Sequence, residues 1–548
     1  MYKSSKTANG GSSRHAQVEE DDDIEAGPAP PGAEDDDDGD YGPAAPPEDD
    51  DGDDEEGRFF GGGVTAQENE ILDYMDTVGD DAAPEKIDGA WLRKTALNFE
   101  KRISKNAQLR AKYEAEPARF IDSEGDLDNE IKALSILGEH PELYAEFASM
   151  GCVASLVGLL AHENTDIAID AIECVGELTD DDVAATDEQW SALADALLDA
   201  DLLGLLASNF SRLDEEQEAD RDGVYHALEI IENLCSRADT VDTIGQSEDL
   251  LKWLLARVQK TEKPVSQNKQ YAAEILSILA QTPANRKRLV ALDAVDVFLL
   301  RVAEYRRVDP KGGEEEEFVA SIYSALTSIA DGPEGKAKFV EGEGVELCLM
   351  IVKEGMKIGK AASLRLLDHA ANGLGRETCE KIVDAGGLKT LFTLFMKNKQ
   401  ENRQTTEHLV SLFASMLRLL PANAPERIRT LAKFVEKDYE KTTKLVRVRQ
   451  SCASRIASAA GDDDDDLSLS LTFCLQTIDV ILAWLVAEDD GAKAKIRTLL
   501  ADQDQDFGAI RATIQEQLNG LEGGDDGEQS ADDREAKDML STLVEFLQ

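Results

Sequence analysis

Phe147-Ala148-Ser149-Met150-Gly151-Cys152-Val153-Ala154-Ser155-Leu156-Val157-Gly158-Leu159-Leu160 reads as a short helix that stops at a glycine and a second helix that starts at once. Phe147 closes the first and Val153, six positions on, opens the second. Glycine accepts a positive φ, so Gly151 lets the chain turn sharply without a loop. The same arrangement recurs at Leu289 to Val295, Phe339 to Val345 and Ile382 to Leu388. Small or turn-forming residues lie between them: Ala294, Gly342 with Gly344, and Gly386 with Gly387. Helices also open near Leu202 and Leu250, without so clear a lead-in.

The openings Val153, Leu202, Leu250, Val295, Val345 and Leu388 advance by 43–50 residues, the period of armadillo and HEAT units. A longer third helix follows in each unit. Ile167, Ala168, Ala171, Ile172, Val175 and Leu178 fall on one helical stripe, as do Ala272, Ile275, Leu276 and Leu279. One unit cannot bury such a stripe alone, so stacking supplies the core. The expected fold class is all-α, an armadillo/HEAT-type right-handed superhelical solenoid with helical caps. Five segments are expected: a disordered acidic tail over 1–63, a helical cap over 64–140, repeats over 141–460, an acidic break over 461–466 and a second cap over 467–548.

Composition agrees. Hydrophobic residues make up 42% of 548 and aromatics 5%, so the core rests on Leu, Ile, Val and Ala, which suits stacked helices. The stretch up to Gly57 holds roughly 20 acids, 3 bases and six of the fifteen prolines, and cannot collapse into a core. The formal charge of −55 disfavours nucleic acid and anionic membranes as partners and favours basic protein. Acidity equally serves to keep a long solenoid soluble. Leu467 to Ala487 is the longest apolar stretch, but Gln476 and Asp479 interrupt it, so no membrane span is expected. One basic cluster, Arg93, Lys94, Lys101, Arg102, Lys105, Arg110 and Lys112, either meets an acidic partner or offsets nearby acid as a solvated face.

No chemistry is expected. The six histidines are scattered, and the seven cysteines stand singly, without the spacing of a metal set or redox motif. Gly332-Pro333-Glu334-Gly335-Lys336 has neither the spacing nor the preceding strand of a phosphate loop. Neither enzyme activity nor a cofactor or metal is expected.

Gly151 to Leu160, continuing through Asn164-Thr165-Asp166 to Glu177-Leu178-Thr179-Asp180, is similar to an armadillo repeat and more closely resembles the beta-catenin-like protein 1 family. Asn98-Phe99-Glu100-Lys101-Arg102, Asn268-Lys269-Gln270-Tyr271, Glu341-Gly342-Glu343-Gly344, Leu366-Leu367-Asp368-His369-Ala370 and Leu394-Phe395-Met396-Lys397 extend the resemblance in order along the chain. It implies a nuclear scaffold of the spliceosome, associated with the nineteen complex and its Myb-related subunit, that grips basic localisation-type segments of its partners. Lys3, Lys6 and Arg14 are too sparse for the compact basic signal that family members can carry, so nuclear entry bound to a partner is as admissible as entry alone. A nuclear-import adaptor for basic cargo is the alternative reading, and a role like that of beta-catenin itself is more distant. Self-association as a homodimer stays open.

In import receptors, third helices present Trp and Asn four residues apart. Here that pattern falls on Glu173 with Glu177, Glu229 with Asn233, Glu274 with Ile278, Ser324 with Ser328, and Asp368 with Asn372. No Trp occupies it and carboxylates take four of the five first positions. With Asp180, Asp181 and Asp182 at the end of the first clear repeat, these residues are the candidate acidic groove. It is expected to hold Lys or Arg by charge, without aromatic slots for their stems. The same carboxylates can also simply solvate a helix face.

Overall fold

A computed structural model describes residues 86–398, 402–459, 465–522 and 531–548. The expected tail over 1–63, the start of the first cap and 461–464 of the acidic break lie outside the described residues. Among the described residues every regular element is a helix.

Two helices, α1 (Gly89–Lys112) and α2 (Ile121–Leu134), precede six triads. The first triad is α3 (Tyr144–Ser149), α4 (Cys152–Gly158) and α5 (Thr165–Thr179), and the second is α6 (Asp187–Asp199), α7 (Leu202–Arg212) and α8 (Glu218–Leu234). The third is α9 (Ala238–Ile244), α10 (Glu248–Gln259) and α11 (Gln267–Leu279), and the fourth is α12 (Pro283–Ala291), α13 (Ala294–Glu304) and α14 (Gly313–Ile329). The fifth is α15 (Pro333–Glu341), α16 (Gly344–Glu354) and α17 (Lys357–Ala371), and the sixth is α18 (Arg376–Asp384), α19 (Gly387–Lys397) and α20 (Arg403–Leu419). The chain ends with α21 (Pro425–Ala459), broken by non-helical backbone at Glu436–Tyr439, then α22 (Asp465–Glu488), α23 (Asp490–Ala501), α24 (Phe507–Glu522) and α25 (Ala531–Phe546).

In five of the six triads the sharp junction is made by one left-handed residue, but not always by the glycine. Gly151 (φ 78°) and Gly386 (φ 73°) serve as expected. In the second, fourth and fifth units Asp201 (φ 61°), Asp293 (φ 57°) and Glu343 (φ 59°) take that conformation, and Ala294, Gly342 and Gly344 do not. The third unit turns through Gly245 (φ -67°) and Ser247 (φ -73°) without a left-handed residue. Asp enters this region more readily than most residues, and none of Asp201, Asp293 and Glu343 caps the following helix with its side chain. The flanking Gly344 contributes by its missing side chain. A Cβ there would lie 2.3 Å from the Phe339 ring, so its absence lets two helices close on each other.

Third helices pack in sequence order, α2 on α5, α5 on α8, and on through α11, α14, α17, α20 and α22. Ile172, Val175, Ala272, Ile275, Leu276 and Leu279 are fully buried between them. Each large aliphatic side chain so buried contributes about 1.5–3 kcal/mol. Capping starts the helices: the Asn164 side chain accepts from the Asp166 amide at 3.1 Å, and Thr186 with Gln189 forms a capping box on α6. Polar ties then cross between units. Asn209 and Asn285 donate to the carbonyls of Leu160 and Val241 in the preceding triads at 2.9 and 3.1 Å, while inside the first triad the Tyr144 hydroxyl donates to the Leu178 carbonyl at 2.7 Å. Lys336, the lysine of the phosphate-loop look-alike, is buried and donates to the carbonyls of Ala330 (2.8 Å) and His369 (2.6 Å), capping two helix ends at once.

By length and composition Ser468–Glu488 is apolar enough to cross a membrane. Here it is the central helix of the C-terminal cap, packed against α20, α21, α23, α24 and α25. Asp479 is fully buried within it and accepts from Nε and Nη2 of Arg449, at 2.5 and 3.1 Å.

Candidate partner-binding face

The column of third helices presents one row of side chains from each repeat. On α5 and α8 that row begins with His226, whose ring lies between two carboxylates. Its Nδ1 is 2.9 Å from Glu229 Oε2 and its Nε2 is 3.7 Å from Glu173 Oε1 of the preceding repeat. On α8 and α11 the Tyr271 hydroxyl donates to Glu232, and the Tyr225 and Tyr271 rings lie 5.4 Å apart at 45°. Gln270 donates to Glu274 at 2.6 Å. Burial first, then the charges of Glu232 and Glu317, hold the Glu274 carboxyl above its usual range. Burial, then Glu229 and Glu232, raises the Tyr225 hydroxyl in the same way. Five glutamates from four repeats thus share one neighbourhood with two tyrosines.

Glu173, Glu229 and Glu274 were legible as members of this group. Glu232, Glu317, His226 and both tyrosines were not, because the two-position ladder is too narrow a template. Tyr225 stands four residues before Glu229, Glu232 three after it, and Tyr271 three before Glu274, so an i, i+3, i+4 stripe would have found them. The tyrosines also correct the expectation of a groove without aromatics. Tyr225 is half-buried and sits beside the acids, where a ring can cover the stem of a Lys or Arg.

The remaining candidates divide. Glu177 is exposed, and Asp181 and Asp182 are exposed on the turn after α5, where Asp180 accepts from the Asp182 amide at 2.8 Å. Carboxylates at that end oppose the helix dipole, so they do not stabilise α5. Asn233 is buried and donates to Thr179 at 3.5 Å. Asp368 is buried, with Oδ2 2.9 Å from His408 Nδ1 and Oδ1 accepting from Asn372 at 3.3 Å. Asn372 in turn accepts from Ser415 at 2.7 Å. The structure therefore uses Asn233, Asp368 and Asn372 as ties between neighbouring repeats.

Much of the basic cluster of α1 is paired with neighbouring acids, although Arg93 and Lys105 stay exposed. Arg93 reaches Glu146 at 2.6 Å, Arg102 and Lys105 reach Asp126 at 2.8 and 3.0 Å, and Arg110 bonds Glu124 and Glu163. These pairs fasten α1 to α2 and to the first triad. Among the described residues no group of three or more His, Cys, Asp or Glu is placed to hold a metal ion. All seven cysteines are buried, and burial pushes the thiols of Cys152, Cys174, Cys235, Cys348 and Cys379 up to about 12.

Residues 69–515 match the family described as "Catenin-beta-like, Arm-motif containing nuclear". The chain is 36% identical over 464 residues to a beta-catenin-like protein 1 homolog of Schizosaccharomyces pombe, covering 81% of each. It is 37% identical over 372 residues to beta-catenin-like protein 1 of Homo sapiens, covering 66% of this chain and 65% of that one. Among solved structures, an engineered protein aligns with a TM-score of 0.47 at 15% identity, over 81% of this chain and 98% of its own. A designed armadillo repeat protein aligns with a TM-score of 0.37 at 14% identity, over 48% of this chain and 99% of its own.

Proposed function

The chain belongs to the catenin-beta-like family of armadillo-motif proteins, and from that premise we propose that it serves pre-mRNA splicing as a non-enzymatic scaffold that grips basic, localisation-type segments of nuclear partners. Protein binding is the function that the family and the repeat architecture support. The observation that carries the finer reading is the glutamate group on α5, α8, α11 and α14. Glu173 and Glu229 flank His226, and Glu232 and Glu274 lie beside Tyr271 and Gln270. A Lys or Arg entering there meets carboxylates from successive repeats and an aromatic ring for its methylenes. Spacing by repeats suits an extended peptide, each of whose basic residues is read by a different unit.

The nuclear location and the partners, nineteen-complex proteins including the Myb-related subunit, rest on the family resemblance. Affinity capture of the tagged protein from nuclear extract at moderate salt tests them. Recovery of nineteen-complex subunits with spliceosomal small nuclear RNA is expected. Recovery of import factors and assorted basic cargo without that RNA would replace the scaffold with an import adaptor.

A further inference from the structure

A second groove lies at the other end of the repeats and has the opposite charge. It consists of two adjoining depressions, one of about 870 Å³ along α16 and α19 and one of about 1060 Å³ between the starts of α17, α20 and α22. Lys360 and Leu394 belong to both. Lys357, Lys360, Arg365, Lys389, Lys397 and Arg403 line them, and none of the six has an ion-pair partner among the described residues. The three carboxylates in the same walls are already engaged. Glu346 is held by Lys381 at 2.6 Å, Asp384 by Arg429 at 3.0 Å, and Glu407 accepts from Ser470 at 2.7 Å.

This is an unusual use of cations in a chain with 112 acids against 57 bases. In α1 the bases are consumed locally by neighbouring acids. Here six line one track without such partners, and their mutual repulsion costs free energy until an anion arrives. The groove is also apolar: Met350 is 41% exposed, Leu469 69% and Phe473 46%. Large apolar side chains left in solvent beside such cations mark a surface that is covered by something both acidic and greasy.

We propose that this groove docks an acidic peptide segment of a partner protein, one in which carboxylates alternate with large apolar side chains. The carboxylates pair with the six cations, and the apolar side chains cover Met350, Leu469 and Phe473. A nucleic-acid strand fits less well. Its phosphates answer the cations and a base can stack on Phe473, but Met350 and Leu469 stay uncovered, and its continuation past the groove meets a net-negative protein. The site is separate from the glutamate group on α5 to α14, so the scaffold would hold a basic segment at one place and an acidic one at another.

The test is fluorescence anisotropy with the full chain and a labelled peptide of alternating Glu or Asp with Leu or Phe, beside an oligoglutamate and a single-stranded oligouridine. The alternating peptide is expected to bind more tightly than either comparator. Lys360→Glu with Lys389→Glu is expected to weaken it at least about tenfold, and Phe473→Ser to weaken it without affecting the oligoglutamate. Both variants should bind a Lys/Arg-rich peptide as the wild type does, which shows that the fold is intact and separates this groove from the glutamate face. Should the double reversal disturb folding, Lys357→Ala with Arg365→Ala replaces it, with severalfold weakening expected. The proposal is overturned if the alternating peptide does not bind, if its binding is indifferent to these substitutions, or if the oligouridine is the tighter ligand and the one lost on charge reversal.

Discussion

The two halves of the third-helix column place the same residue types in the same register and treat them differently. On α5, α8 and α11 the carboxylates of Glu173, Glu229 and Glu274 are half-buried at a surface, the first two beside the half-buried His226 and the third accepting from the buried Gln270. On α17 the equivalent carboxylate, Asp368, is buried and held between His408 and Asn372. A histidine of the following repeat approaches Glu173 (His226, 3.7 Å) as one approaches Asp368 (His408, 2.9 Å), but only Asp368 is buried by it. A ladder read from spacing alone treats these positions as equal, and only the packing of the neighbouring repeat tells them apart.

Breaking the first half should cost the most. Replacing Glu173, Glu229 and Glu274 together by Lys is expected to weaken a Lys/Arg-rich peptide about 100-fold or more, since three attractions become repulsions. Anisotropy titration measures it, and unchanged affinity with an intact circular-dichroism spectrum would end the glutamate-face reading. Asp368→Ala acts on the other half and on another quantity. It strands His408 and Asn372 and should lower stability by about 2–3 kcal/mol in denaturant titration, with peptide affinity unaltered. A smaller effect is expected at the aromatic. Tyr225→Ala should weaken the basic peptide by about 2–5-fold, while Tyr225→Phe keeps the ring and the affinity.

The smallest effect concerns pH. Burial and the charge of Glu232 raise the Glu274 carboxyl, so on acidification it takes up its proton before an ordinary glutamate does. Peptide affinity therefore begins to fall at a higher pH than free carboxylates would give, and Glu274→Gln removes that first step. For stability the sign is reversed. The folded chain holds this proton more tightly than the unfolded chain, so the charged form is a cost at neutral pH that is relieved as pH falls through the raised range. Glu274→Gln should thus raise the neutral-pH Tm slightly, by about 1 °C, in a thermal scan.

The two clusters of bases draw a second contrast. In α1, Arg93, Arg102, Lys105 and Arg110 are fastened to acids of the following helices, while Lys360, Lys389 and Arg403 have no ion-pair partner among the described residues. The α1 cluster is conspicuous in sequence because its charges are close together on one helix. The groove cluster is invisible there, because its cations come from three triad helices and converge only when the triads stack.

Periodicity, glycine placement and the absence of chemistry-bearing spacing were enough to determine an all-α repeat solenoid, since hydrophobic stripes and helix stops are local properties of a chain. Glu173, Glu229 and Glu274 were recognisable for the same reason: each is set by its own helix. The left-handed turns at Asp293 and Glu343, the capture of Asp368 by His408, the tyrosines among the glutamates and the convergence of the six groove cations were decided by the tertiary structure. Each of these depends on what the adjacent helix presents across a contact, and no local pattern in one helix encodes its neighbour's side chains.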